Sequence, residues 1–237
     1  MLTKGLTVKK IYTKEPQYGK LSNDQKNSNR ESFGIMHDYT WKLDPKRVIF
    51  TFSRYKFVSK MFNEFTEVLE VGCGDAFATR LVQQTVKNVT VVDFDPIFIE
   101  DIRQRIDPNW PLSAFVHDII SSPLDNQFDG IFSLDVLEHV DKSDEDVFMK
   151  NISASLKAHG TCIIGMPSLE SQPYASEGSK IGHVNCKTGT DLRDLMKKYF
   201  HSVFMFSMND EVVHTGFFPM AHYLFAVCCD KKQLAVQ

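Results

Sequence analysis

The chain contains no long hydrophobic run and no pair of closely spaced cysteines of the Cys-x-x-Cys type. Of its 237 residues 43% are hydrophobic, and none of the runs reaches the roughly 20 apolar residues of a membrane span. The five cysteines are odd in number and include no Cys-x-x-Cys pair, which argues against a disulfide scaffold or a zinc site. The first residues lack the apolar core of a signal peptide. We therefore expect a cytoplasmic protein with buried, reduced thiols and no membrane partner.

The sequence also lacks a strong excess of charge of either sign. The formal net charge is −3 at pH 7, so nothing global indicates nucleic-acid binding. Residues 1–30 carry seven basic side chains against two acids. We expect a solvated, mobile extension there rather than an arm that binds nucleic acid.

What the chain does contain is an apolar run that ends in an acid and two glycines, Val-Leu-Glu-Val-Gly-Cys-Gly-Asp at 68–75. This pattern is typical of a buried parallel strand that turns sharply into a helix, because glycine adopts unusual φ values and lets a ligand approach the backbone. The N–H groups of the helix point into such a turn. The bulky Phe77 stands at the sixth position of a Gly-x-Gly-x-x-Gly fingerprint, which disfavours a nicotinamide or flavin enzyme. We predict a small-molecule site, with a ligand-free turn as the alternative.

Strand and helix patterns alternate from residue 44 onward. Strands are predicted near 68–71, 89–93, 113–117, 130–133, 161–165, 202–208 and 222–229, and helices over 44–64, 76–86, 96–106, 144–156 and 190–198. The alternation predicts a mostly parallel sheet with helices on both faces, closed by an antiparallel hairpin. Residues 1–40 are polar and are predicted as loop and lid. We expect an N-terminal extension over 1–45 and one domain over 46–237.

Three acids end successive strands of the predicted sheet, namely Glu70, Asp93 and Asp118. The carboxyl ends of parallel strands share one edge, where ligands bind. Asp93, 21 residues after the first glycine, can accept both hydroxyls of a ribose. Asp118 can accept an adenine amino hydrogen, while Phe94 and Ile119 are suited to sandwich a base. Each acid alone is equally explained as a cap, but together with the glycine turn they predict an adenosine pocket.

These motifs resemble those of the class I S-adenosylmethionine-dependent methyltransferases. The resemblance covers roughly residues 55–229 and rests on the run at 68–75, Val-Val-Asp-Phe-Asp-Pro at 91–96, His-Asp-Ile at 117–119 and Phe-Asp-Gly-Ile-Phe-Ser-Leu-Asp-Val-Leu-Glu-His-Val at 128–140. It implies a Rossmann-like α/β fold with a seven-stranded sheet in the order 3-2-1-4-5-7-6 and an antiparallel last strand. It also implies methyl transfer from S-adenosylmethionine, with S-adenosylhomocysteine as the product, to a small acceptor.

The resemblance also implies which residues contact the cofactor. They are Glu70, Gly72, Cys73 and Gly74 around the methionine moiety, Asp93 at the ribose with Phe94 beside it, Asp118 and Ile119 at the adenine, and Leu134 and Asp135 near the sulfonium. Arg54 or Tyr55 would reach the cofactor carboxylate. A plain surface or packing role is the alternative for that last pair.

A hydroxyl or ammonium acceptor must lose a proton, so a general base is expected near the acceptor. His183 precedes the predicted helix at 190–198, where related enzymes with small substrates often place a histidine. His214, three residues after Glu211, is a second candidate in the last hairpin. An ordinary hydrogen-bonding role remains the alternative for each loop histidine.

Asp135, Glu138 and His139 would share one face of a helical turn, and with His183 they can hold a divalent ion. The spacing is similar to that of metal-dependent O-methyltransferases that act on catechols in quinone synthesis and on RNA ribose ends. It also resembles relatives that are not known to need a metal, in which His139 would be a cap and Glu138 structural. Both alternatives remain open at this point.

The acceptor pocket is predicted from residues 1–45, 166–189 and 209–221. The ring-bearing residues there are Tyr18, Phe33, His37, Tyr39, Trp41, Tyr174, Phe217 and Phe218. We expect the acceptor to be an oxygen or nitrogen of a sugar, sugar phosphate or related precursor of a bacterial surface polysaccharide. A nucleic-acid methyltransferase, a non-catalytic cofactor-binding subunit and a nicotinamide oxidoreductase are the competing functions, and a monomer and a homodimer are both open.

Overall fold

The computed structural model describes residues 13–20 and 31–233. The chain divides into two compact units, residues 1–32 and 33–237. In the first unit a 3-10 helix spans Pro16–Tyr18, and the Tyr18 side chain is half exposed. The rest of the predicted basic extension over 1–30 lies outside the described residues. Every element considered below belongs to the second unit.

The second unit is built on one mixed sheet. Its strands are β1 Glu67–Val71, β2 Asn88–Asp93, β3 Ser113–Val116, β4 Phe128–Leu134, β5 Leu156–Pro167, β6 Phe200–Asn209, β7 Val212–His214 and β8 Tyr223–Lys231. The order is β3-β2-β1-β4-β5-β8-β6-β7. The first five strands pair in parallel, and β8 is antiparallel to both β5 and β6. The predicted order of the seven main strands is confirmed, and the short edge strand β7 is an eighth that the sequence pattern did not indicate.

Helices cover both faces of this sheet. They are α1 Ile35–Leu43, α2 Lys46–Met61, α3 Thr79–Gln83, α4 Pro96–Arg105, α5 Glu145–Ser155, α6 Glu177–Gly182 and α7 Gly189–Tyr199, with 3-10 helices at Leu137–His139, Leu169–Tyr174 and Phe218–Met220. Val68 packs into a core with Val58 and Ile99, while the adjacent Leu69 packs into the opposite core with Phe148. Successive strand residues point to opposite faces, so β1 is buried on both sides. Each described helix is too short or too polar to span a bilayer.

Helix α1 corrects the prediction that residues 1–40 form a loop. None of its residues is buried, and its apolar side chains at helical spacing, Ile35, Tyr39 and Leu43, are exposed. Its N-terminus is satisfied from far along the chain, because the carboxylate of Asp75 accepts the N–H groups of Met36 at 3.0 Å and His37 at 2.8 Å. The same carboxylate lies 2.7 Å from Nδ1 of His37. Helix α1 therefore sits directly against the glycine turn.

Candidate active site

The glycine turn after β1 has the conformation that its sequence predicts. Gly72 and Gly74 have φ values of 73° and 51°, a region that favours glycine. A Cβ atom on Gly72 would lie 2.3 Å from Cγ2 of Val136. The N–H groups of Gly72 and Cys73 both donate to the carbonyl of Val92, at 2.8 and 3.1 Å. Strand β2 therefore fixes the shape of the turn.

Asp93, the last residue of β2, joins this turn to the next loop. Its Oδ2 accepts the N–H of Gly74 at 2.8 Å and its Oδ1 accepts the N–H of Asp95 at 3.0 Å. The residue is only 6% exposed. A carboxylate has about four acceptor positions, so Asp93 retains capacity for two further hydroxyl donors.

Glu70 is buried beneath the turn rather than open to a ligand. It accepts the hydroxyl of Tyr55 at 2.5 Å and that of Thr79 at 2.6 Å. Burial raises the pKa of Glu70 to about 7, against the lowering effect of these two hydrogen bonds. Tyr55, the predicted alternative to Arg54, is therefore engaged with Glu70. Cys73 is buried nearby, and burial also raises the pKa of its thiol.

The predicted adenine contacts lie after β2 and β3. Phe94 is 73% exposed, whereas the side chain of Ile119 is buried in the core. The carbonyl of Ile119 accepts Nδ2 of Asn151 at 2.7 Å. Asp118 is exposed and accepts the Ile120 N–H and the Ser121 hydroxyl at 2.9 and 2.8 Å. Asp118 therefore stabilises its own loop through these hydrogen bonds, and its side chain is also exposed to solvent.

Beyond β4, an arginine and an acid meet over a tyrosine ring. Nη1 of Arg54 donates to Oδ2 of Asp135 at 2.7 Å, and its guanidinium carbon lies 3.9 Å from the ring centroid of Tyr223. Burial lowers the pKa of Arg54, but the charge of Asp135, its hydrogen bond and the nearby Tyr223 and Glu138 together outweigh this effect, so the pKa is raised. Asp135 has a φ of 58°, and the adjacent Leu134 is buried. Tyr223 was not predicted, since it lies on β8 far from any motif.

Glu138 follows on the 3-10 helix and is almost completely buried. Its Oε2 has no hydrogen-bond partner within residues 13–20 and 31–233, a costly state for a carboxylate. Burial and the charge of Asp135 raise the pKa of Glu138 well above its ordinary value. Its main-chain carbonyl accepts the N–H groups of Val184 at 2.8 Å and Asn185 at 3.0 Å.

Two histidines lie beside Glu138, with ring centroids 5.1 Å apart. Nδ1 of His139 lies 2.8 Å from the carbonyl of Gly182, and Nδ1 of His183 lies 2.7 Å from Oε1 of Gln172. Both oxygens only accept, so each Nδ1 carries the proton and each Nε2 keeps its lone pair. Burial and the neighbouring His139 lower the pKa of His183, which favours the neutral imidazole.

Glu138, His139 and His183 form a cluster of potential metal ligands among the described residues. One ligand atom from each lies within 4.8 Å of the others. Oxygen and imidazole ligands suit several divalent ions. The unpartnered Oε2 of Glu138 and the fixed ring orientations fit such an ion. Asp135, the fourth predicted ligand, pairs with Arg54 and stays a prediction as a metal ligand.

The second candidate base is held inside its own hairpin. Nδ1 of His214 accepts the N–H of Gly216 at 2.9 Å, and Nε2 lies 2.9 Å from Oδ1 of Asn209. Both ring nitrogens are therefore engaged, which leaves no lone pair for a substrate proton in this conformation. Glu211 is exposed in the turn before β7.

An aromatic cluster covers the glycine turn from the side of α1. The ring of Phe77 lies 4.5 Å from Phe33, 4.6 Å from His37 and 4.7 Å from Phe52. Among the other ring-bearing residues predicted for the acceptor pocket, Tyr39, Trp41, Tyr174 and Phe217 are exposed and Phe218 packs on the core. Phe77, which disfavours a dinucleotide fingerprint, thus packs against Phe33 and against His37 of helix α1.

The sequence of residues 69–164 matches a family model described as "Methyltransferase domain". This match spans 96 of the 237 residues, and over that region the chain is similar to methyltransferase domains. The match extends from the end of β1, through the glycine turn and the Glu138 region, to β5. It therefore includes the turn, Asp93 and two of the three clustered ligands.

Relatives of this methyltransferase domain include O-methyltransferases. The chain is 28% identical over 166 residues to "Ubiquinone biosynthesis O-methyltransferase" of Rickettsia bellii, an alignment that covers 67% of this chain and 63% of that protein. It is 26% identical over 140 residues to "Malonyl-[acyl-carrier protein] O-methyltransferase" of Calditerrivibrio nitroreducens, with 59% and 54% covered. The chain thus spans less than two thirds of the length of these relatives.

Solved structures share the fold at low sequence identity. The N-methyltransferase NodS of Bradyrhizobium japonicum, crystallised with S-adenosyl-L-homocysteine, matches with a TM-score of 0.60 and 18% identity over 89% of this chain and 97% of that chain. An S-adenosylmethionine-dependent methyltransferase from Clostridium acetobutylicum matches with a TM-score of 0.63 and 13% identity over 81% and 96% of the two chains. These neighbours agree with the Rossmann-like architecture of the methyltransferase domain.

Proposed function

We propose that this protein binds S-adenosylmethionine and transfers its methyl group to a hydroxyl oxygen of a small molecule, with a divalent ion held by Glu138, His139 and His183. One observation carries the proposal. The glycine turn follows β1, and Asp93 ends β2. Glu138 and His139 follow β4, and His183 lies in the loop after β5. These four strands are neighbours in the parallel sheet. A nucleoside site and an acceptor site can therefore share one edge of the sheet.

On the cofactor side, the residues fit a nucleoside that carries an amino-acid tail. Because Gly72 and Gly74 have no side chain, the cofactor can approach the backbone of the turn closely. Asp93 would accept the ribose hydroxyls. Arg54 would bind the carboxylate of the tail, because its guanidinium is held over Tyr223 and its Nε has no partner among the described residues. Glu70 would act through the shape of the turn, since Tyr55 and Thr79 already occupy its carboxylate.

On the acceptor side, positioning supplies much of the catalysis. Methyl transfer needs the acceptor oxygen in line with the bond that breaks, and fixing this geometry contributes up to about 7–11 kcal/mol in favourable cases. The ion, when bound, would lower the pKa of the acceptor hydroxyl and orient its oxygen. Without an ion, Nε2 of His183 would serve as the general base. Dependence of turnover on a divalent ion distinguishes these two roles of His183.

The acceptor class follows from the ligand cluster and the relatives. A molecule with two neighbouring oxygens, such as a catechol or a vicinal diol of a sugar, would chelate an ion there. The names of the ubiquinone-biosynthesis relatives favour the catechol, and the sugar predicted from the sequence is the alternative. An attacking nitrogen, location in the cytoplasm and the oligomeric state stay predictions.

The test is transfer of labelled methyl groups from S-adenosylmethionine to a panel of catechols, sugars and short RNAs, with Mg²⁺ or Mn²⁺ and with EDTA. We expect transfer to one vicinal-diol class that is lost in EDTA and restored by Mn²⁺. Transfer to RNA alone would support a nucleic-acid methyltransferase. Cofactor binding without any transfer would support a non-catalytic subunit, and binding of NAD instead would support an oxidoreductase.

A further inference from the structure

A buried ionic triad links the loop that carries His183 to the start of helix α5. Lys187 forms an ion pair with Glu145, the first residue of α5. Nδ2 of Asn185 donates to Oε2 of the same glutamate at 3.0 Å, and Nζ of Lys187 donates to Oδ1 of Asn185 at 3.0 Å. Glu145 and Lys187 are each 8% exposed. Charged groups are seldom buried to this extent unless they are paired.

Backbone groups of Gly182, Val184 and Asn185, in the same segment, form hydrogen bonds to the ligand cluster. The carbonyl of Gly182 accepts from the ring of His139. The N–H groups of Val184 and Asn185 donate to the carbonyl of Glu138. The carbonyl of Lys187 accepts the N–H of Leu169 at 2.9 Å. His183 therefore lies between a backbone contact to His139 on its N-terminal side and, on its C-terminal side, the contacts to Glu138 and the triad.

The position of Glu145 stabilises its negative charge. It stands in the first turn of α5, where the helix dipole stabilises a negative charge. Lys187 neutralises it from the loop, and Asn185 uses an oxygen and a nitrogen of one amide to join the two charges. The chain from residue 185 to residue 187 is fixed as a unit. A shift of the loop would separate a buried charge pair as well as the two Glu138 contacts.

We infer that Glu145, Asn185 and Lys187 are positioning residues that hold the imidazole of His183 at metal-binding distance from Glu138 and His139. They act through the loop backbone and touch neither the ion nor the acceptor. This inference rests on the metal site in the proposed function. The triad therefore contributes to the affinity of the site for the metal ion, in addition to any contribution to the stability of the fold.

The test is Mn²⁺ binding to the full chain, followed by the electron paramagnetic resonance signal of free Mn²⁺. Asn185→Ala cuts the link while leaving the ion pair, and we expect its dissociation constant for Mn²⁺ to rise at least tenfold. His183→Ala should lose the site. Lys180→Met is the matched control, because it removes the exposed Lys180–Glu177 pair of the adjacent helix α6 and should change the constant less than twofold. S-adenosylhomocysteine affinity, measured in each variant, reports the integrity of the fold.

A double variant provides an independent test in case Asn185→Ala does not fold. Glu145→Gln combined with Lys187→Met neutralises both charges at once, and it should also weaken Mn²⁺ binding at least tenfold. In ¹³C-labelled histidine spectra, the ring signal of His183 should shift in both variants, whereas that of exposed His159 should not. Equal Mn²⁺ affinity in Asn185→Ala, the double variant and the unaltered protein would overturn the positioning role while the metal site stands. No Mn²⁺ binding by the unaltered protein would overturn the metal site and this inference together.

Discussion

The two halves of the candidate site are built in different ways. In the cofactor half, defined by the Gly72–Gly74 turn, Asp93 and Asp118, three adjacent strand ends and their own loops supply most contacts. In the acceptor half, defined by Glu138, His139, His183 and the loop over 168–187, contacts join segments that are distant in the sequence. The Arg54–Asp135 pair at the boundary joins residues 81 positions apart. Short motifs can specify the first half, but only the folded chain assembles the second.

The largest expected effect separates the halves by function. His183→Ala should reduce methyl transfer roughly 10²–10⁴-fold, the range for loss of a group that handles the acceptor proton. Affinity for S-adenosylhomocysteine should stay within about twofold, because His183 belongs to the acceptor half. Steady-state rates and calorimetry measure the two quantities. His159→Ala, at an exposed position, is the control, and an equal loss of cofactor affinity in His183→Ala would remove the distinction between the halves.

The next effect concerns the stability of the cofactor half. The pKa of Glu70 is raised from 4.5 to about 7, so the folded state holds the proton more tightly than the unfolded state. The free energy of unfolding should therefore fall as pH rises between these values, by on the order of 2–3 kcal/mol from this group. Glu70→Gln removes the titration and should lose less stability between pH 5 and pH 8. Urea unfolding at both pH values measures this, and parallel losses in the two proteins would contradict the raised pKa of the buried Glu70.

A smaller effect is expected on cofactor binding. Asp93→Ala should weaken S-adenosylhomocysteine binding at least tenfold, or about 1.4 kcal/mol. The variant loses both the ribose contact and the Gly74 and Asp95 hydrogen bonds that shape the turn. Mn²⁺ affinity, measured in the same preparation, should not change. Unaltered cofactor affinity would show that the nucleoside binds elsewhere.

The smallest effect tests the contact between α1 and the glycine turn. Asp75→Ala removes the acceptor for two helix N–H groups, which corresponds to a loss of about 1 kcal/mol for a helix cap. Hydrogen exchange should become faster in α1 and stay unchanged in β1. Equal protection of α1 in both proteins would show that packing of Phe33 and His37 on Phe77 holds the helix without the cap.

The sequence was sufficient to predict the fold because its signals are local. Hydrophobic runs that end in acids define β1 to β3, and their alternation with helices indicates a mostly parallel sheet. The strand order itself was implied by the resemblance to class I methyltransferases. The cofactor turn was predictable for the same reason, since Gly72 and Gly74 indicate the positive φ values that the structure shows. The solved structures with the same architecture confirm the predicted fold class, while the contacts of the turn with a cofactor stay predictions.

The missed features all depend on partners that the sequence does not bring together. Helix α1 is capped by Asp75, 39 residues from Met36. Tyr223 lies beneath Arg54 only because β8 inserts between β5 and β6. The spacing of Asp135, Glu138 and His139 indicated a metal site, but it could not show that Asp135 pairs with Arg54. The fixed tautomers of His139 and His183 likewise come from Gly182 and Gln172, which no motif identifies.

The most direct measurement is equilibrium dialysis of labelled S-adenosylmethionine against the full chain, with and without Mn²⁺. A nucleoside site in the cofactor half predicts retention at one equivalent per chain under both conditions, displaced by S-adenosylhomocysteine and weakened by Asp93→Ala. No retention by folded protein, or retention that Asp93→Ala leaves unchanged, would contradict the assignment of this site and the methyl transfer that depends on it.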